Sequence, residues 1–597
     1  MEFFIILSVI IIISSAITVI LKKRIEKTIP IALISMILIV YICGIFDNLK
    51  LGIAIIKIVF ILSLFLLFYR IIISIKKKEI KELAKKLITP GLLIYVILFI
   101  VFVIYNRQRI FQDLDEFNHW AVIIKDMFIN NKYSMGVNSI IEYNEYPPFT
   151  PTLQYIFLQF KGGYAEDTII IASNILYLSV IIPITSKIKW DKSILYLFII
   201  VPIIIFLPTI FYEDFYINIL VDGIIGILAG MIIFEIFTQQ SKKDYILIGL
   251  EIISLGLIKP EGILLAICMI ALVILLNIKR KKGGKVVALV ISILAIIFVG
   301  IWYAKLTLSE TDFYWEQQTG LNENRMSNDS IANGYIHAFL QANVTNGIQM
   351  APLTIIALLL VYNIYTYYKI QHKRIKLKYL KTTIFIYAID AIYFIGLLLT
   401  YQYILPSEES QRLTSYNRYI NTMIIMNIIF NISLFISNTI KNRNIKIKNI
   451  IIMLLCIIAV FPISNFSEKV INIKNYKMQE LVKRKTYIKI QNYDKYLTND
   501  DKILYVNMAG DEYAKDYKIA RYLMMPIKVE NMETEYFILD SDEFLERIKQ
   551  EKITYIYIYA TNNKFIEKFG KIFDNDIQEK TMYRLEENEQ FLKLEVW

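Results

Sequence analysis

The run FQDLDEFNHWAVIIKDMF at residues 111–128 sets Asp113, Asp115 and Glu116 close together, with His119 one helical turn beyond Asp115. A carboxylate so placed can take the proton of a hydroxyl, which is a poor nucleophile until that proton is accepted. Closely spaced acids are also hard oxygen ligands. With no His or Cys cluster in the chain, a metal held by Asp113, Asp115 and Asp222 would be Mg²⁺ or Mn²⁺. Further along, FYEDFYINILVDG at 211–223 adds Glu213 and Asp222, and KPEG at 259–262 adds Lys259 and Glu261. PSEESQRLTSYNRYI at 406–420 contributes Arg412 and Arg418. Taken singly, each has a plain explanation, since Glu213 can be solvated and Arg418 can snorkel to an interface. Asp222 is different, because it opens a hydrophobic run where an unpaired carboxylate is costly. Together, acids and cations of this kind suit a transfer from a lipid phosphate, with a carboxylate as base and cations holding the leaving phosphate.

These residues must be positioned by a very apolar chain. Its 597 residues are 56% hydrophobic and only 20% charged, with a mean hydropathy of +0.50. Runs of Ile, Leu, Val and Phe recur without a polar face, each long enough to cross a ~30 Å hydrocarbon core as a helix of ~20 residues. Barrel strands are far shorter. The first run, residues 3–21, lacks a basic leader and a small-residue cleavage site, so it reads as a retained span. The net charge of +12 does not point to nucleic acid, because the basic residues lie in short loops between spans and report topology. Cys43, Cys268 and Cys456 all fall in apolar runs, leaving no disulfide framework and no zinc spacing.

Lys and Arg clusters near residues 22–24, 76–86, 187–192, 242–243, 279–282, 369–381 and 441–448 must share the cytoplasmic side. That parity decides two segments. Residues 148–160, too short for a comfortable crossing, must lie on the outer surface as an interfacial helix. Residues 245–277 must form a hairpin whose apex, KPEG, dips below the outer surface and lines a cavity. The segment 111–128 reads as an amphipathic helix at the outer surface. Leu114, Phe117, Ala121, Ile124 and Phe128 face the membrane, and Asp115, Glu116 and His119 face water. The expected fold is an α-helical polytopic membrane protein of about fourteen transmembrane helices, the last at 448–464. A small extracytoplasmic α/β domain follows. Its strands are expected at 502–506, 536–539, 553–559 and 591–596, and its helices at 542–550 and 563–569.

In this order the features resemble the GT-C superfamily of membrane glycosyltransferases, which includes the protein mannosyltransferases and the aminoarabinose lipid A transferases. Asp113-Leu114-Asp115-Glu116 matches the acidic motif of its first long outer loop, and Tyr146-Pro147-Pro148 the Pro-Pro opening of a juxtamembrane helix. Asp222 matches the acid that ends its second outer loop. Lys259-Pro260-Glu261-Gly262 matches the hairpin, and Arg418-Tyr419 the Arg-Tyr that begins a late span. The chain departs from the pattern in having about four spans before the acidic loop where the superfamily has one.

The resemblance implies three regions. Residues 1–89 are additional N-terminal helices, 90–466 a catalytic core with outer loops 106–167 and 306–350, and 467–597 a soluble domain. It also implies an inverting glycosyltransferase of the cell membrane, acting on the extracytoplasmic face, with a polyprenyl-phosphate-linked sugar as donor and a glycan, lipid or protein as acceptor. Asp115 would be the general base and Glu116 a second carboxylate. His119, Glu213, Asp222, Lys259, Glu261, Arg412 and Arg418 would bind substrate. Metal dependence stays open, since the superfamily has members of both kinds. Two rival readings are a surface-polysaccharide polymerase or ligase, and a transporter or flippase of lipid-linked sugars. The latter would place charges near the midplane and show repeated halves, and no repeat is seen.

Overall fold

The computed structural model describes residues 2–136, 143–277, 282–311, 328–346, 349–442, 484, 489–510, 514–532, 534–573, 577–586 and 590–594. It divides into two compact units. One comprises residues 1–107 and 131–471, the other residues 108–130 and 472–597.

Apolar runs become helices for want of any other way to satisfy their backbone in an apolar surrounding. The first unit opens with α1 (Glu2–Leu21), α2 (Ile29–Ile45), α3 (Leu49–Lys76), α4 (Ile80–Leu87) and α5 (Pro90–Asn106). After α6 (Ala121–Asn130), which belongs to the second unit, come α7 (Phe149–Lys161), α8 (Glu166–Ile181), α9 (Leu197–Phe211) and α10 (Asp222–Thr238). Next are α11 (Asp244–Gly256), α12 (Pro260–Asn277), α13 (Lys282–Leu308) and α14 (Asn328–Gln341). The series ends with α15 (Pro352–Lys369), α16 (Lys373–Tyr403), α17 (Ser407–Arg412) and α18 (Tyr416–Asn442). Starts are marked in the sequence. Asn48 caps α3 through the Leu51 N–H, and Thr89 caps α5 through the Leu92 N–H, with Pro90 at the first position where its missing donor costs nothing.

Among the described residues ten helices are long and apolar enough to cross a membrane, which makes this a multi-pass membrane protein by composition. That is fewer than the fourteen spans expected. α10 and α11 are apolar but run for only 17 and 13 residues. α15 carries Asn363 and a cluster of tyrosines that dilute its hydropathy, and 448–464 lies outside the described residues.

The segment expected to be interfacial does fold as one short helix, α7, but it does not present a single apolar face. Residues 149–158 are all buried, with α1, α2 and α8 packed around them. Its polar side chains are satisfied inside the unit: Thr152 bonds the Pro148 carbonyl and the Tyr133 hydroxyl, and Gln154 donates to Ser173. α2 packs on α7, α8 and α11, so the N-terminal helices are built into the helical unit. At its centre α10 lies against α18. An added Cβ at Gly226 would sit 2.4 Å from the Thr422 carbonyl oxygen, and one at Gly230 2.6 Å from that of Met426. This small-xxx-small spacing brings two backbones together as in membrane helix dimers.

In the second unit a five-stranded sheet has the order β2-β1-β3-β4-β5. The strands are β1 (Lys502–Asn507), β2 (Lys528–Asn531), β3 (Tyr555–Ala560), β4 (Thr581–Leu585) and β5 (Phe591–Lys593). β2, β1 and β3 are parallel, joined by crossovers through α19 (Lys515–Met524) and α20 (Ser541–Gln550). β3, β4 and β5 are antiparallel, with α21 (Asn563–Phe569) before β4. Period-two alternation gives each face its own core. Leu504, Val506, Ile556 and Ile558 pack with Phe544, Phe565 and Phe569, while Ile503, Tyr505, Tyr555 and Tyr557 pack with Ala520 and Met524. The strand expected at 536–539 is instead a 3₁₀ turn, Thr534–Phe537, because Asp540 and Glu543 form a capping box that starts α20 directly behind it.

Candidate functional site

The hairpin of α11 and α12 turns at Lys259, and the turn is tight enough to need Gly262, where a Cβ would lie 2.1 Å from the Leu255 carbonyl oxygen. Pro147 and Pro148 have no N–H to offer, so the first donor after them, the Phe149 N–H, bonds the Leu257 carbonyl at 3.1 Å. That bond sets the Tyr146-Pro147-Pro148 turn on the hairpin apex. Lys259 is 4% exposed there.

Its ammonium donates to Asp222 Oδ1 at 3.3 Å and pairs with Glu261 Oε1, also at 3.3 Å. Arg418, near the start of α18, brings Nε to 3.2 Å from the other oxygen, Asp222 Oδ2. Two tyrosine rings complete the cage: Lys259 Nζ stands 5.6 Å from the ring centre of Tyr146 and 5.0 Å from that of Tyr419, and the Arg418 guanidinium lies 5.2 Å from Tyr419. Tyr212 donates to the Arg418 carbonyl, Thr422 to the Asp222 carbonyl, and Tyr393 to the Tyr419 carbonyl. Segments up to about 270 residues apart in the chain thus converge on two cations and two carboxylates, where charge-assisted bonds are strong. Of the expected residues, Asp222, Lys259, Glu261 and Arg418 are brought together. Arg412 instead pairs with Glu408 one turn away on exposed α17, and Glu213 is exposed in the turn before α10.

The acidic segment 113–119 is organised differently, and within the second unit. Its N-terminal part is a π-helical turn, Glu116–Trp120, running into α6. The wider turn breaks the 3.6-residue stripe on which an amphipathic surface helix was expected. Glu116 and His119 are buried, 0% and 2% exposed, and do not face water. Glu116 Oε2 accepts from the Gln112 and Asp113 N–H groups, and Asp113 Oδ1 accepts from the Asp115 N–H. His119 lies edge-on to Trp120 at 4.7 Å, while Asp115 is half-buried. The helix is held by the sheet domain: Lys125 donates to the carbonyls of Tyr522 and Leu523, Arg521 to that of Asn118, and Phe117 packs edge-on against Tyr522. Among the described residues no group of three or more His, Cys, Asp or Glu could hold a metal ion, and Asp113 and Asp115 belong to a different unit from Asp222.

Sequence reasoning missed Tyr212, Tyr393 and Thr422. The chain has 41 tyrosines, so no single one stands out; only their spacing from Asp222 and Arg418 could have marked them. No protein-family model, curated protein or solved structure matches this chain.

Proposed function

We propose that the protein is an inverting glycosyltransferase that moves a sugar from a polyprenyl-phosphate donor to an acceptor on the extracytoplasmic face of the membrane. The observation that carries this reading is the buried Lys259 and the half-buried Arg418 meeting on Asp222. A phosphate oxyanion competes for these two cations with the carboxylates that neutralise them in its absence. Charge then develops on the phosphate as the bond from anomeric carbon to phosphate oxygen breaks, and fixed cations stabilise that charge without reorganising. The acceptor hydroxyl oxygen forms the new bond to the anomeric carbon from the opposite face. Its proton passes to a carboxylate base, the role that the match of the acidic motif gives Asp115, and polyprenyl phosphate leaves with the electron pair. Glu116, engaged by two backbone N–H groups, serves by fixing the turn that carries Asp115.

The test is transfer by purified protein in lipid, read as release of polyprenyl phosphate from a polyprenyl-phosphate sugar. Arg418→Ala should lower the rate ~10²–10³-fold, the range for loss of one oxyanion-stabilising group. Wild-type turnover in Arg418→Ala would remove the phosphate from this cluster. Export of the intact donor without sugar transfer would favour a flippase.

A further inference from the structure

Away from the Asp222 cluster, α10 and α11 carry a second set of charges. Glu235 on α10 and Glu251 on α11 are 1% and 0% exposed. Lys27, in the turn before α2, pairs with Glu235 Oε2 at 2.9 Å. The other three carboxylate oxygens, Glu235 Oε1 and both of Glu251, have no hydrogen-bond partner among the described residues. The charged groups that act on Glu251 are Glu235 and Lys27. The other nearby acids are already matched. Asp244 pairs with Lys23 and accepts from the Gln240 and Ser241 N–H groups, and Glu26 pairs with Arg24. Around Gly249 and Gly256 the helices on the remaining sides of α11 meet it with apolar side chains, Ile291 and Val299 of α13 and Ala266 of α12, and the polar contact from α12 is Asn277, which accepts from Tyr245 near the start of α11.

Two enclosed carboxyls therefore have one ammonium near them, and it pairs with Glu235. A buried carboxylate with neither cation nor donor is heavily penalised, and such groups neutralise instead. The site lacks one positive charge, and a proton supplies it together with a donor. A metal cation would need several more oxygens than the four present here.

We infer that Glu235, Glu251 and Lys27 form an intramembrane proton-binding site, with the proton carried by Glu251 and Lys27 left to Glu235. The site joins the N-terminal helices to the pair that ends on Asp222 and Lys259. Losing the proton sets a second negative charge beside the Lys27–Glu235 pair and loosens the junction.

The experiment is infrared spectroscopy of the full-length protein in lipid at neutral pH, comparing wild type with Glu251→Gln, together with melting temperature against pH. The wild type should show the carbonyl stretch of a protonated carboxylic acid that Glu251→Gln lacks. Its melting temperature should fall as pH rises, because the native state holds a proton that the unfolded chain releases. Glu251→Gln, neutral at every pH, should lose that slope. Lys27→Met gives an independent reading: with the ammonium gone Glu235 must also be neutral, so the acid band should grow. Loss of carboxylate bands instead of an acid band in Glu251→Gln would overturn the inference, as would an unchanged pH slope. An acid band that fails to grow in Lys27→Met, or stabilisation by sodium at alkaline pH, would do the same.

Discussion

Asp222 and Glu116 are both buried acids, the first expected where a span begins and the second on a water-facing helix, yet they are satisfied in opposite ways. Glu116 is answered from within its own turn, by the N–H groups of Gln112 and Asp113. Asp222 is answered by side chains from elsewhere, Lys259 and Arg418. The first arrangement holds a loop in shape with nothing added. The second gathers charges from separate helices, which a ligand can recruit. Where a buried carboxylate's partners come from is thus a sharper guide to function than its burial.

The contrast can be broken most directly at Asp115, half-buried beside Glu116. Asp115→Asn keeps shape and removes basicity, so transfer should fall ~10²–10⁴-fold with donor binding unchanged. Near-wild-type transfer would end its assignment as base, and a severe loss in His119→Ala instead would move that role to the imidazole.

Lys259→Ala tests the other side. It should slow polyprenyl phosphate release ~10²–10³-fold and also destabilise the helical unit by ~3–5 kcal/mol, because Asp222 loses a buried partner. Adding Asp222→Asn should restore most of the stability and none of the rate. Recovery of both would make the cluster a structural clamp.

Glu116→Gln should cost ~1–2 kcal/mol in the stability of the second unit, since a neutral amide is a weaker acceptor for two N–H groups. Transfer should fall far less than in Asp115→Asn; an equal loss would give Glu116 chemistry of its own.

The smallest effect expected is at Glu551, in the sheet domain. Burial raises its carboxyl, but bonds from Tyr536 and Arg547 outweigh that and hold it below the usual carboxylate range. The stabilisation is therefore complete above the unfolded value and disappears as pH falls through the lower folded one. Hydrogen exchange at β3 should show a slight loss of protection across that acidic window, absent in Glu551→Gln.

The helices were legible because apolar runs have one outcome in an apolar surrounding, and Asp222, Lys259 and Arg418 because charges at the ends of such runs are expensive. β1, β3, α20 and α21 fell at the expected strands and helices. β2 and β4 were missed altogether; Lys528–Asn531 is only four residues long and three of them are polar. The face presented by the acidic segment was misjudged for a local reason: a π-turn is invisible to a 3.6-residue template. The full burial of α7 was also hidden, since Thr152 and Gln154 look like a solvent face until Tyr133 and Ser173 are found opposite them.

The glycine contact between α10 and α18 also sets how this pair of helices can move. Prying them apart would forfeit the whole backbone contact at Gly226 and Gly230 at once. Sliding one along the other is opposed as well, because Ile425 and Ile429 of α18 fill the notches that the two glycines leave. Arg418 sits one turn before Thr422, so the same joint fixes the height at which its guanidinium meets Asp222. The glycine pair acts as an indexing notch for the ion pair at its end.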